Sequence, residues 1–89
     1  MAWRIELDPA VERELGQFDP PVARSILVFL YERVALLDDP RSIGETLKSS
    51  QLNEFWKYRV SNYRVIANIE DSTVRILVVR IGHRRETYR

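Results

Sequence analysis

Three runs of β-branched and aromatic residues crowd the last third of this chain, and only two short polar steps separate them. Phe55 to Val60, Tyr63 to Ile69 and Thr73 to Ile81 each carry the side chains that favour a pleated strand. Ser61-Asn62 and Asp71-Ser72 lie between them. Connections of two polar residues between such runs predict tight antiparallel hairpins, although neither has the glycine such turns favour. A sheet of consecutive hairpins is therefore the constraint that everything upstream must fit.

Upstream the pattern changes. Trp3 to Leu7 alternates apolar and charged residues, as a strand with one buried face does. Asp8-Pro9 then suits a helix start, with Asp as cap and Pro at the first helical position. That helix is expected to run to about Leu15 and end at Gly16. Asp19-Pro20 repeats the signal. Val22, Ile26, Phe29, Leu30, Val34 and Leu37 follow at helical spacing, which predicts a second helix of about 18 residues. Asp38-Asp39-Pro40 ends it, because Pro cannot continue a helix. Residues 41–53 read as a loop, with room for one helical turn. The order is β-α-α-β-β-β: an α+β domain with an antiparallel sheet and both helices on one face.

With 89 residues, the chain is expected to form one domain over residues 1–89. The absence of cysteine excludes disulfides and thiolate metal sites, and a single His argues against a His-rich zinc site. Neither metal nor cofactor is expected. No apolar run approaches the roughly 18 residues of a membrane span. No secretory leader is visible at the charged start, so the expected compartment is the cytoplasm and no membrane partner is expected. The formal charge of +1 hides an uneven distribution. Met1 to Glu45 holds five basic and nine acidic residues, whereas Thr46 to Arg89 holds nine basic and four acidic. Such asymmetry points to a side that binds a polyanion.

Hairpin register assigns side chains to faces. Two-residue loops pair Val60 with Tyr63, Arg59 with Arg64, Lys57 with Ile66, Asn68 with Arg75, and Ile66 with Leu77. One face then carries Trp56, Tyr58, Val60, Tyr63, Val65, Ala67, Ile69, Val74, Ile76 and Val78, and is expected to meet the helices. The other carries Lys57, Arg59, Arg64, Asn68 and Arg75 among Phe55, Ile66, Leu77, Val79 and Ile81. Like charges opposite one another are destabilising, and Glu54 and Glu70 lie only at strand ends. A face that tolerates such repulsion suits an anion, and nucleic-acid phosphate is the natural candidate. The chain then reads Gly82-His83-Arg84-Arg85-Glu86-Thr87-Tyr88-Arg89. Cations interleaved with an aromatic suit phosphate contact plus base stacking on a single strand.

Trp56-Lys57-Tyr58-Arg59-Val60, Tyr63-Arg64-Val65-Ile66 and Val78 to Tyr88 together resemble the RelE family of bacterial toxin–antitoxin toxins. The likeness extends to the first strand, the helices and the Leu47-Lys48 step into the sheet. It implies a ribosome-dependent endoribonuclease that enters the 30S A site and cuts mRNA there. It also implies a cognate RelB-like antitoxin, and contact with operator DNA only as the toxin–antitoxin complex. By the same resemblance Lys57, Arg59, Arg64, Arg84 and Tyr88 are the catalytic candidates, with Arg59 where relatives commonly have lysine. Lys48, Arg75, His83 and Arg85 are the RNA-binding candidates. Ser49-Ser50 and Ala67 depart from the family pattern, where a glycine step and an aromatic are usual.

Metal-independent RNA cleavage requires a 2′-OH that loses its proton, a neutralised pentavalent phosphate and a protonated 5′-oxygen. Lys57 is the candidate base, with nearby cations to favour its neutral form. Arg59 and Arg64 would hold the scissile phosphate, Arg84 would stabilise the transition state or the leaving group, and Tyr88 would meet a base or sugar. Arg is a poor proton donor, which leaves His83 as an alternative acid or base. Two other functions share this architecture: a ParE-like toxin that inhibits DNA gyrase by binding, and a non-catalytic component of a repressor complex. The five-residue catalytic set separates the first reading from the second.

Overall fold

The structure is a computed structural model that describes residues 2–46 and 55–83. Strand β1 spans Arg4–Leu7, helix α1 Pro9–Gln17 and helix α2 Pro20–Phe29. A π-helical turn over Leu30–Val34 and a 3₁₀ turn over Pro40–Ile43 follow. Strands β2 (Glu45–Thr46), β3 (Phe55–Val60), β4 (Tyr63–Glu70) and β5 (Arg75–His83) complete the described elements. They form one sheet in the order β1-β5-β4-β3-β2. The predicted strands and both helices are present, and the helices cover one face.

Three details differ from the expected layout. The pairs β2–β3, β3–β4 and β4–β5 are antiparallel, but β1 lies parallel to β5, so the sheet is mixed. Hairpin loops dictate only the pairing of consecutive strands and leave the placement of β1 open. Strand β2, two residues long, adds an edge that the sequence pattern is too short to reveal. The second helix does not stay α-helical to Leu37. The Ala35 N–H donates to Leu30 O across five residues at 2.9 Å, which opens the last turn. That turn buries Val34 and Ala35 together and leaves Leu36 exposed.

Local chemistry accounts for the element starts. Asp8 Oδ1 accepts from the Ala10 N–H at 2.9 Å, with Pro9 at the first helical position. Helix α1 passes Gly16 and ends at Gln17, where the extended Phe18 donates its N–H to Leu15 O. Asp19 caps α2 through its backbone carbonyl, which accepts from Val22 and Ala23, rather than through its side chain. Asp39 caps the 3₁₀ turn by accepting from the Arg41 N–H at 3.0 Å.

The first hairpin has the expected register: Val60 opposes Tyr63, Arg59 opposes Arg64, and Lys57 opposes Ile66. Ser61 takes the positive φ, 57°, that a two-residue hairpin loop demands at its first position. The second hairpin is different. Its loop has four residues, Asp71 to Val74, so Glu70 opposes Arg75 and Asn68 opposes Leu77. Val74 is thereby removed from the expected core face and sits in the loop at φ 51°, a costly conformation for a β-branched residue. The register then slips between Ile66 and Ala67: Ala67 opposes Val78, but Ile66 opposes Arg80. Val79 is the extra residue of a β-bulge.

The core lies between the helices and one sheet face. Val11, Leu15, Ile26, Leu30, Val34 and Ala35 meet Ile5, Tyr58, Val65, Ala67, Ile69, Ile76, Val78 and Ile81, all buried. Ile81 belongs to this core and not to the charged face, because the bulge inverts the alternation of β5. Among the described residues, no helix is long and apolar enough to cross a membrane.

Among the described residues, Tyr58 is the largest fully buried side chain. Its hydroxyl donates to Pro40 O at 2.6 Å, and its ring meets Phe29 edge-on at 6.0 Å. Burial pushes the Tyr58 hydroxyl up to about 12. Gly44 lets the chain pass this ring: a Cβ there would stand 3.0 Å from it. Tyr58→Phe keeps the packing but leaves the Pro40 carbonyl without its donor. Urea unfolding of that variant is expected to show a loss of about 1–2 kcal/mol with an unchanged m-value.

Candidate RNA-binding face

The outer face of the sheet carries the cations at two separate ends. At the end formed by the Ser61-Asn62 hairpin, Arg59, Arg64 and Gly82 share one row across β3, β4 and β5. The next row holds Lys57, Ile66 and Arg80. Strands lie about 4.8 Å apart, so Lys57 and Arg80 flank Ile66 at roughly 10 Å, one pleat behind the arginine pair. Strand β5 leaves this row for His83, so the Gly-His-Arg-Arg segment continues from the end where the cations converge.

Like charges directly opposite across two strands are destabilising. The opposed pair divides the space unequally. Arg59 is exposed, whereas Arg64 is only 5% exposed. Lys57 is half-buried, and its Nζ lies 3.6 Å from Glu45 Oε1 on the paired strand β2. The carboxylate that the sequence pattern lacked on this face is therefore supplied by the extra edge strand.

Arg75 is not part of this cluster. It lies seven positions before Gly82 on β5, roughly 23 Å of extended chain. Its guanidinium forms a fork on Glu70, at 3.1 and 2.8 Å, and meets Glu6 at 2.9 Å. Arg4 adds a second cation on Glu6 at 2.9 Å. Arg41 makes a similar fork on Asp71, at 3.1 and 2.7 Å, and lies over the Trp56 ring. Both networks tie the loop between β4 and β5 to other parts of the fold.

Of the sequence candidates, Lys57, Arg59 and Arg64 are together, and His83 continues from their row. Lys48, Arg84, Arg85 and Tyr88 lie outside the described residues. Arg80 was missed, since simple alternation points it into the core. A signal for it does exist: an arginine between Val78-Val79 and Ile81, in phase with Ile76 and Val78, is a charge on the buried phase of a strand. A slipped register is the least costly way to release it. Among the described residues no three His, Cys, Asp or Glu side chains form a group that could hold a metal ion.

Residues 5–88 match the family described as ParE toxin of type II toxin–antitoxin system, parDE. The chain belongs to the RelE/ParE superfamily of toxins. Toxin RelG of Mycobacterium tuberculosis is 21% identical over 89 residues, covering 100% of this chain and 99% of that relative. The fold matches a chain of the M. tuberculosis toxin–antitoxin complex RelBE2 with a TM-score of 0.82 at 19% identity, covering 94% and 93% of the two chains. A mutant of the E. coli toxin RelE in the free state matches with a TM-score of 0.75 at 21% identity, over 99% and 90%. At such identities the solved structures speak for the fold alone. What this toxin does with that fold rests on its own cations.

The Arg75 network has a testable consequence for stability. Hydrogen bonds from Arg75, and then from Thr73, hold the Glu70 carboxyl below its usual 4.5. A carboxyl depressed in the folded state stabilises above its unfolded value, and that contribution is lost as pH falls through the folded value. The thermal midpoint of Arg75→Ala is therefore expected to lie below the wild type at about pH 6, the gap closing toward about pH 3. A gap that stays constant over this range would assign the loss to packing instead.

Proposed function

We propose that this toxin is a ribosome-dependent endoribonuclease that cleaves mRNA in the A site without a metal ion. The observation that carries this reading is the convergence of Lys57, Arg59 and Arg64 at the sheet end from which the Gly-His-Arg-Arg segment continues. Arg59 and Arg64 bind the scissile phosphate and offset the charge of the pentavalent state. Lys57, released by Glu45 and reacting as the neutral amine, takes the proton of the 2′-OH and becomes the ammonium. The 2′-oxygen bonds to phosphorus, the P–O5′ bond breaks, and the 5′-oxygen takes a proton from solvent water. The products are a 2′,3′-cyclic phosphate and a 5′-hydroxyl. Arg84 and Tyr88 enter through the family resemblance, as the leaving-group cation and the stacking aromatic. Lys48, His83 and Arg85 extend the contact with RNA.

The partner that restrains this activity is a RelB-like antitoxin. Structurally similar chains come from a RelE–RelB complex of Pyrococcus horikoshii and from the RelBE2 toxin–antitoxin complex. Operator DNA is reached only by the paired complex, and the toxin works in the cytoplasm, where its ribosomes are. The ParE description of the family favours one other reading, inhibition of DNA gyrase by binding.

Purified ribosomes programmed with a defined mRNA distinguish the two. Cuts are expected within the A-site codon, with 2′,3′-cyclic phosphate ends. Arg59→Ala, on an exposed side chain, should reduce the cleavage rate by about 10²-fold or more. Arg64→Lys should retain the fold better than Arg64→Ala and still lose rate, because lysine cannot reproduce a guanidinium fork. Intact mRNA together with blocked gyrase supercoiling would instead establish the gyrase reading.

A further inference from the structure

A cleft of about 280 Å³ opens where β3 outruns its short neighbour β2. It is lined by Phe29, Arg33, Ile43, Glu45, Lys57 and Arg59. Three of these six are cations, drawn from two parts of the chain that the topology brings together. Arg33 stands in the π-helical turn, one turn beyond Phe29, and is exposed. Lys57 and Arg59 stand on β3, and the edge of the sheet separates the cleft from the outer face. Strand β2 covers only Trp56 and Lys57, so the side of β3 next to Arg59 has no strand beside it among the described residues.

Glu45 is the one carboxylate in this lining. At 3.6 Å from Lys57 its attraction is loose, and the Glu45 side chain is 60% exposed. It can swing into water at little cost. The remaining lining is a half-buried aromatic ring and an aliphatic side chain, surfaces suited to the face of a base. The size fits one nucleotide unit and not a folded partner, which requires a far larger contact.

We propose that this cleft is a second RNA subsite. Arg33 binds the phosphate that neighbours the scissile one, and the attached base lies against Phe29 and Ile43. This rests on the endoribonuclease reading for the path of the strand. Lys57 and Arg59 are the hinge between the two phosphates, and Arg33 is the phosphate-binding cation that the helical half contributes to an otherwise sheet-borne site. Glu45 acts as an internal competitor, occupying Lys57 until a phosphate displaces it.

The test uses the full chain and a fluorescent 2′-O-methyl hexaribonucleotide, which binds but has no free 2′-OH to attack. Arg33→Ala is expected to weaken binding about three- to fivefold, and to reduce the slope of log affinity against log salt by about 0.7. Arg33→Lys should restore the slope. Glu45→Gln should tighten binding, an effect opposite in sign that a scaffolding role would not produce. Arg24→Ala, an exposed arginine on α2 away from the cleft, should change nothing. The proposal is overturned if wild type does not bind the probe, if Arg33→Ala binds as wild type does, or if Arg24→Ala matches it. Ribosomal mRNA cleavage by the wild type is measured alongside. Cleavage without any effect of Arg33 on binding sinks the subsite alone. An effect of Arg33 on binding, without cleavage, sinks the endoribonuclease reading and leaves the cleft as an RNA site.

Discussion

One extra residue in β5 decides which side chains this protein shows to solvent. Residues 76 and 78 point inward in regular alternation, and residue 80 would follow them. Val79 interrupts that count, so Arg80 lines up with Ile66 and Ile81 lines up with Val65. Burying an unpaired guanidinium costs several kcal/mol, whereas losing one ladder position costs much less. The bulge also brings Gly82 opposite Arg64, next to the Arg59 pair. A strand without the bulge would carry its own arginine into the core and leave an isoleucine on the cationic face.

The electrical division of the chain is real in sequence and partly erased in space. Glu6 and Glu45 come from the acidic half, yet they bind Arg75 and Lys57 from the basic half. Arg41 and Asp71 cross the division in the reverse sense. These pairs join residues far apart in the chain, and their consequence is selective. Arg75 is held on two carboxylates at one end of the sheet. At the other end Arg59 remains exposed, and Lys57 beside it is held only loosely by Glu45. Folding thus ties Arg75 and Arg41 to carboxylates away from the site, while Arg59 stays exposed within it.

Much of this was legible in the order of residues. The Asp-Pro steps, the helical stripe and the Ser61-Asn62 turn depend on neighbours within a few positions, and the first hairpin register follows from them. That register alone brings Lys57, Arg59 and Arg64 onto one face. The second hairpin was not legible, because its loop closes through Val74 at a positive φ, a conformation its side chain disfavours. Tertiary contact decides it: Val74 O accepts the Arg4 N–H of β1, and Asp71 is clamped by Arg41. Glu45 and Arg33 escaped notice for a different reason. A two-residue strand has no periodicity, and a π-helical turn breaks the helical period that a stripe relies on.

Precision at the cationic end then comes from the residue between the two cations. Lys57 and Arg59 flank Tyr58, and successive residues of a strand face opposite ways. Tyr58 is locked into the core by its bond to the Pro40 carbonyl and by the Phe29 ring, and the close passage of Gly44 seals its edge. Fixing one residue of an extended segment fixes the outward vectors of both neighbours, so two flexible cations gain a rigid base. The same Phe29 that supports Tyr58 lines the cleft reached by Arg33. The packed interior and the candidate RNA surface are therefore one construction: the ring contact that holds β3 in place also sets the distance between the helical arginine and the strand-borne cations.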